Sequence, residues 1–209
     1  MTIFYLVRHG DTAWNRDWRY RGQADLPLDE IGLAQARAAA GALASVGLEA
    51  VFASPLKRAF NTAELIAQAA GLTARPLPDL LDIHYGAWQG LTLAEVQAAH
   101  PALYERWQAA PHLVTFPAGE SLDDVRSRAL RGLLGVADQY PLGRVALVGH
   151  QVVNRVLLCA VLGLGNEAFW RIEQETCCIN VFRYHTERYR FTVERINDTH
   201  HLRQIQTEG

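Results

Sequence analysis

The stretch Ile3-Phe4-Tyr5-Leu6-Val7-Arg8-His9-Gly10 sets an apolar run, rich in β-branched and aromatic residues and too short for a helix, directly before two basic residues and a glycine. Such a run, bounded by a turn signal, reads as a buried strand. The pattern returns twice: Val51-Phe52-Ala53 runs into Ser54-Pro55-Leu56-Lys57-Arg58, and Val145-Ala146-Leu147-Val148 into Gly149-His150. In an open parallel α/β sheet, ligands bind beyond the carboxyl ends of the strands. Arg8, His9, Arg58 and His150 gathered at that edge would form an anion pocket with a nucleophile in it.

Helical patterns alternate with these strands, which predicts an α/β fold. Asp29 is suited to cap a helix running to about Ser45, with Leu33, Ala36, Ala40 and Leu43 on one face. Ser54 and Pro55 read as the N-cap and first position of a helix reaching about Ala70 and ended near Gly71. That places Arg58 in a first turn whose free backbone N–H groups already favour an anion. A long helix is expected from Ser121 to about Tyr140, with Asp123 and Asp124 favourable in its first turn. Residues 176–183 and 189–195 read as two late strands around the His185–Arg188 turn. Residues of about 79–118 differ in composition, mixing Gly86, Gly90, Pro101, Pro111 and Pro117 with Tyr85, Trp88, Tyr104, Trp107 and Phe116. They read as one or two short helices in a cap over the carboxyl edge, inserted into one domain spanning 1–209.

Composition excludes several partners. At 209 residues with 49% apolar residues the chain suits one well-packed domain. A net charge of −2, with basic residues dispersed, gives no nucleic-acid footprint. The longest apolar stretch, Val156 to Gly165, falls short of a membrane span, and the apolar start is interrupted at Arg8, unlike a signal peptide. Three cysteines, Cys177 and Cys178 adjacent, argue against a disulfide framework and for a reducing cytoplasm. His200, His201 and His185 match no common metal-site spacing, so no metal site is expected there.

Leu6-Val7-Arg8-His9-Gly10-Asp11-Thr12-Ala13-Trp14-Asn15, then Arg21-Gly22-Gln23, Asp25-Leu26-Pro27-Leu28 and Gly32-Leu33-Ala34-Gln35-Ala36, closely resembles the opening of the histidine phosphatase (phosphoglycerate-mutase-like) superfamily. The resemblance continues through Ser54-Pro55-Leu56-Lys57-Arg58-Ala59, Gly86-Ala87-Trp88-Gln89-Gly90, Gly119-Glu120-Ser121 and Gly149-His150, and so covers nearly the whole chain. It implies a three-layer α/β/α fold whose mainly parallel central sheet is flanked by helices. It also implies that His9 attacks phosphorus to form a phosphohistidine that water hydrolyses. Arg8, Arg58 and His150 would hold the phosphoryl oxygens, with Asn15 and Gln23 as neutral donors and no metal or other cofactor required.

Two positions depart from the pattern. Where many members carry a glutamate as general acid, this chain has Asp82, one methylene shorter, and His84 is the substitute acid to test. Where relatives often read His-Gly-Gly, this chain reads His150-Gln151-Val152, which adds the Gln151 side chain at the pocket edge. The resembling mutases devote a longer basic insertion to shielding the phosphohistidine, and Trp88-Gln89 stands where they carry a lysine-bearing sequence. Hydrolysis of a small-molecule phosphate monoester is therefore expected, the alternatives being a cofactor-dependent phosphoglycerate mutase or a phospho-ligand sensor without turnover. The segment 111–121 is further similar to metal-independent phosphoserine phosphatases, and much of the rest to α-ribazole phosphatases. Trp18, Arg19, Tyr20 and Arg21 after the nucleophile, together with Tyr85 in the cap, are the candidates for specificity. A homodimer is left open.

Overall fold

The computed structural model describes residues 1–16 and 19–203. Trp18 lies outside the described residues. In chain order the elements are β1 (Thr2–Arg8), α1 (Ala13–Arg16), α2 (Glu30–Leu43), β2 (Ala50–Ala53), α3 (Lys57–Ala69) and β3 (Ala74–Pro76). Then follow α4 (Leu93–Ala99), α5 (Pro101–Ala109), α6 (Leu122–Gln139), β4 (Arg144–Gly149), α7 (Gln151–Val161), β5 (Ile179–His185) and β6 (Arg190–Asp198).

One sheet runs β3-β2-β4-β1-β5-β6. The β3/β2, β2/β4 and β4/β1 pairs are parallel, and β5 and β6 add an antiparallel margin. Side chains alternate across a strand, so Phe4, Leu6, Phe52, Val145 and Leu147 pack with α6 and α7, whereas Val7, Val51, Ala53, Ala146 and Val148 pack with α2 and α3. Both faces are covered, which is why these strands read as unbroken apolar runs. The fold is the expected three-layer α/β/α sandwich with a mainly parallel centre.

The Asp29 carboxylate accepts from Gly32 N and caps α2, as expected. Ser54 does not cap α3, which begins only at Lys57 after Leu56 and has no side-chain cap of its own. Its first N–H groups are satisfied from elsewhere in the chain: Lys57 N donates to Asp25 Oδ1 at 2.7 Å and Arg58 N to the Leu26 carbonyl at 3.1 Å. Arg58 nevertheless keeps its place in the first turn. The late strands also shift: the first begins at Ile179 because Cys177 takes a left-handed turn (φ 53°) before the strand can pair.

Between β3 and α6 the aromatic segment forms the two short helices α4 and α5, separated by His100 and flanked by tight 3-10 turns. Trp88 and Phe116 are buried at its centre, with Tyr85, Trp107 and Phe116 in edge-to-face contacts whose ring centroids lie 5.0–6.4 Å apart. Gly86 enters this cluster at φ +53°, and a Cβ there would lie 1.9 Å from the Pro117 carbonyl oxygen. Only glycine meets both conditions.

Candidate active site

The parallel ladder brings the three strand ends together. Arg8 is in register with Gly149 and Ala53 with Val148, so His9, Ser54 and His150 emerge side by side at the carboxyl edge. The rings of His9 and His150 are 5.1 Å apart between centroids.

His9 is held in one tautomer. Its Nδ1 lies 2.6 Å from the Gly10 carbonyl oxygen, which can only accept, so Nδ1 carries the hydrogen. The lone pair is then on Nε2, which accepts from Arg58 Nε at 3.3 Å. Burial, followed by the charges of Arg58, Arg8 and Arg21, holds the His9 pKa well below the ordinary histidine value. The ring is thus neutral with its free electron pair on the buried cationic side.

Arg58 is fully buried and fixed by backbone oxygens from the loop after α1: Nη1 donates to Ala24 O at 2.6 Å and Nη2 to Gly22 O at 2.7 Å. Arg58 Nη2 also approaches Asp82 Oδ2 at 3.4 Å. Arg8 donates through Nη1 to the Gln174 carbonyl at 2.5 Å, while its buried Nε has no protein partner. Neither ring nitrogen of buried His150 has one either. Buried polar groups without partners are costly; Arg8 lines the cavity over His9, whereas the fully buried Arg58 and His150 are not among the residues that line it. Burial and Arg58 also hold His150 well below its ordinary pKa.

Asp82 sits among these groups, 6% exposed, with Oδ2 3.9 Å from His150 Nδ1. Burial raises its pKa against the opposing pull of Arg58 and Arg21. Its loop is strapped down by Arg128 of α6, which donates to the carbonyls of Asp79 (2.9 Å), Leu81 (2.6 Å) and Asp82 (3.1 Å). The same guanidinium pairs with Glu120 through Nε at 2.8 Å and Nη2 at 3.0 Å. Gln23 is part of this support: its Nε2 donates to the Asp82 carbonyl at 3.1 Å, and it is not among the residues that line the cavity. His84 is likewise turned elsewhere, its Nδ1 accepting from Gly86 N at 3.1 Å.

A cavity of about 550 Å³ opens over His9 and Asp82. Arg8, Asn15, Arg21, Tyr85 and Gln151 line it, as do Arg19, Tyr20, Tyr104 and Trp107. Asn15 Oδ1 accepts from Thr12 N and Oγ1, which leaves the NH₂ as its donor end. Arg21, lowered to about 10 by burial and the neighbouring arginines, adds to the positive field. Arg155, Trp170, Glu173 and Gln174 also line the cavity and were not singled out from sequence. The one available signal was an arginine immediately before the apolar stretch that begins at Val156. No cluster of three or more metal-ligating side chains stands among the described residues, and no described helix is long and apolar enough to cross a membrane.

The family model of the histidine phosphatase superfamily (branch 1) matches residues 4–199. The chain is 34% identical over 209 residues to phosphoserine phosphatase 1 of Hydrogenobacter thermophilus, covering 100% of this chain and 98% of that protein. It is 30% identical over 206 residues to the probable phosphoglycerate mutase GpmB of Yersinia pestis, covering 97% and 95%. The solved structure of Bacillus stearothermophilus YhfR superposes with a TM-score of 0.92 at 30% identity, covering 97% of this chain and 100% of that one.

Proposed function

The chain belongs to the histidine phosphatase superfamily, and from that premise we propose that it is a metal-independent phosphomonoesterase that hydrolyses a small-molecule phosphate through a phosphohistidine on His9. One observation carries the reading: His9 is held neutral, Nδ1 on the Gly10 carbonyl, with its lone pair on the nitrogen that faces Arg58 and the unpartnered donors of Arg8 and His150 close by. In the first step Nε2 attacks phosphorus as the ester P–O bond breaks, and Asp82 gives its proton to the leaving alcohol oxygen. The guanidiniums of Arg8 and Arg58, with His150, hold the phosphoryl oxygens through transfer. In the second step water attacks phosphorus, Asp82 takes the water proton, and the P–N bond breaks to return neutral His9 and inorganic phosphate. Burial that raises Asp82 suits it to carry the proton first and recover it later.

Similarity to the Yersinia mutase keeps isomerisation as the second reading. The short cap, with α4 and α5 as its two α-helices, favours hydrolysis. Buried, unpaired Cys159, Cys177 and Cys178 fit a reducing cytoplasm. The test is a screen of metabolite monophosphates with EDTA present, alongside 3-phosphoglycerate primed with 2,3-bisphosphoglycerate. Phosphate release at undiminished rate in EDTA is expected. Loss of turnover in EDTA removes the metal independence, isomerisation outrunning hydrolysis of the best substrate selects the mutase, and binding without turnover selects a sensor.

A further inference from the structure

Two primary amides are buried together behind Arg8: Asn180 of β5 and Gln174 in the loop that leads into it. They clasp each other head to tail, Asn180 Nδ2 donating to Gln174 Oε1 at 2.9 Å and Gln174 Nε2 to Asn180 Oδ1 at 2.8 Å. Asn180 Nδ2 also donates to the Leu6 carbonyl of β1 at 2.9 Å, and Asn180 Oδ1 accepts from Asn197 N at 2.8 Å. Gln174 Nε2 also donates to the Glu173 carbonyl at 2.8 Å, and Gln174 Oε1 accepts from Cys178 Sγ at 3.4 Å. Both amides are thus satisfied, and a satisfied polar network in the interior is rigid. An apolar pair of the same shape can serve a core about as well, so stability alone does not account for them. The backbone is bent to reach this clasp. β5 and β6 shift register between Ile179 and Val181, so that Ile196 and Asn197 stand against the single residue Asn180, and Asn197 takes φ +54°. Bulges and left-handed non-glycine residues gather beside active sites, where they aim a group. The group aimed here is the Gln174 carbonyl, which accepts from Arg8 Nη1 at 2.5 Å. Arg8 and Gln174 both line the cavity over His9.

We propose that Asn180 is a positioning residue for phosphoryl transfer: through the amide clasp it fixes the Gln174 carbonyl, and that carbonyl orients the Arg8 guanidinium toward the phosphoryl oxygens. The proposal rests on the phosphatase reading, in which Arg8 meets the phosphoryl group. Asn180 does not line the cavity and acts only through Gln174 and Arg8. Arg8 serves the non-bridging oxygens and Asp82 the leaving one, so disturbing the clasp costs the same whatever the alcohol.

A double-mutant cycle against Arg8 tests this, with ethyl phosphate and p-nitrophenyl phosphate as substrates. Asn180→Asp sets a carboxylate against the Leu6 and Gln174 oxygens, and Gln174→Met removes the partner amide while keeping the side chain's length. Each should lower kcat/KM by about tenfold to a hundredfold, by the same factor on both esters, as a small misplacement of a binding group does. Each should also weaken competitive inhibition by inorganic phosphate, which reads the phosphoryl site without a leaving group. In an Arg8→Ala background, where no guanidinium remains to be oriented, the same substitutions should change kcat/KM by less than about twofold. Losses that keep their full size in that background make the clasp structural only and overturn the assignment. A folded variant with wild-type kcat/KM overturns it as well, and so does a loss that differs between the two esters. Failure of both variants to melt cooperatively shows a clasp that holds the fold, and the assignment falls with it. In each of these results the wild type still turns over; a wild type that releases phosphate from neither ester overturns the phosphatase reading and this proposal together.

Discussion

Arg128 Nη2 donates to the backbone oxygen of Asp82 at 3.1 Å, so a helix on the far side of the cap holds the loop that carries the candidate acid. Because Glu120 fixes the Nε–Nη2 edge of this guanidinium, the aspartate is placed by its backbone, not by a long side chain. This answers how a residue one methylene shorter than glutamate can reach the site: Oδ2 lies within 3.4–3.9 Å of Arg58 and His150.

If Asp82 protonates the leaving oxygen, removing its acidity should hurt poor leaving groups far more than good ones. Asp82→Asn is expected to lose about 10²–10⁴-fold on an alkyl phosphate and much less on p-nitrophenyl phosphate, whose aryloxide hardly needs a proton. Asp82→Glu should keep substantial activity on both. Equal losses would show that Asp82 only shapes the pocket, and the selective loss appearing in His84→Ala would move the role to the histidine.

Arg128→Met should reproduce the Asp82→Asn pattern more mildly, since misplacing a reacting group by about 1 Å can cost about a hundredfold. Arg128→Lys, which keeps the charge but not the fork, should recover only part of the alkyl phosphate rate. A loss that does not depend on the leaving group would assign Arg128 a purely structural role.

Acid should destabilise the fold through its two active-site histidines. His9 and His150 are held well below the unfolded value of 6.5 by burial and the arginines. Below that pH the unfolded chain takes up protons that the folded chain refuses, so stability present above about 6.5 is lost as pH falls. Melting temperature followed from pH 8 to pH 5 should decline, and less steeply in His150→Asn. Parallel declines would mean that His150 is not a linked group.

Gly86→Ala should lower stability by about 1–3 kcal/mol or more, because the left-handed backbone is strained for alanine and the new Cβ meets the Pro117 carbonyl. Urea denaturation measures it. A change within about 0.5 kcal/mol, as at an ordinary surface position, would mean that the cap relaxes around the methyl.

Much of this was legible in the chain because local signals and tertiary structure agree there. The buried strands β1, β2 and β4 show as apolar runs, and the basic residues after them mark the carboxyl edge. Asp29 and Ser121 cap their helices within three residues of themselves. The start of α3 was not legible, since Asp25 and Leu26, some thirty residues upstream, supply what Ser54 was expected to supply. Helix α7 showed in the sequence only as the apolar stretch from Val156, since it is buried nearly all round, from Val152 through Cys159. Arg155 and Arg128 were missed for a related reason: what each does depends on partners distant in sequence, among them Phe169 and Asp79.

The central claim is that His9 carries the phosphoryl group. Rapid quench of the wild type with labelled substrate should trap a protein-bound phosphoryl group that survives base, is lost in acid and maps to His9. His9→Ala should show neither label nor turnover, whereas His150→Ala, which loses an oxyanion donor, should turn over about 10²–10³-fold more slowly with its nucleophile in place. Label that persists in His9→Ala, or that resists acid in the wild type, would contradict the account.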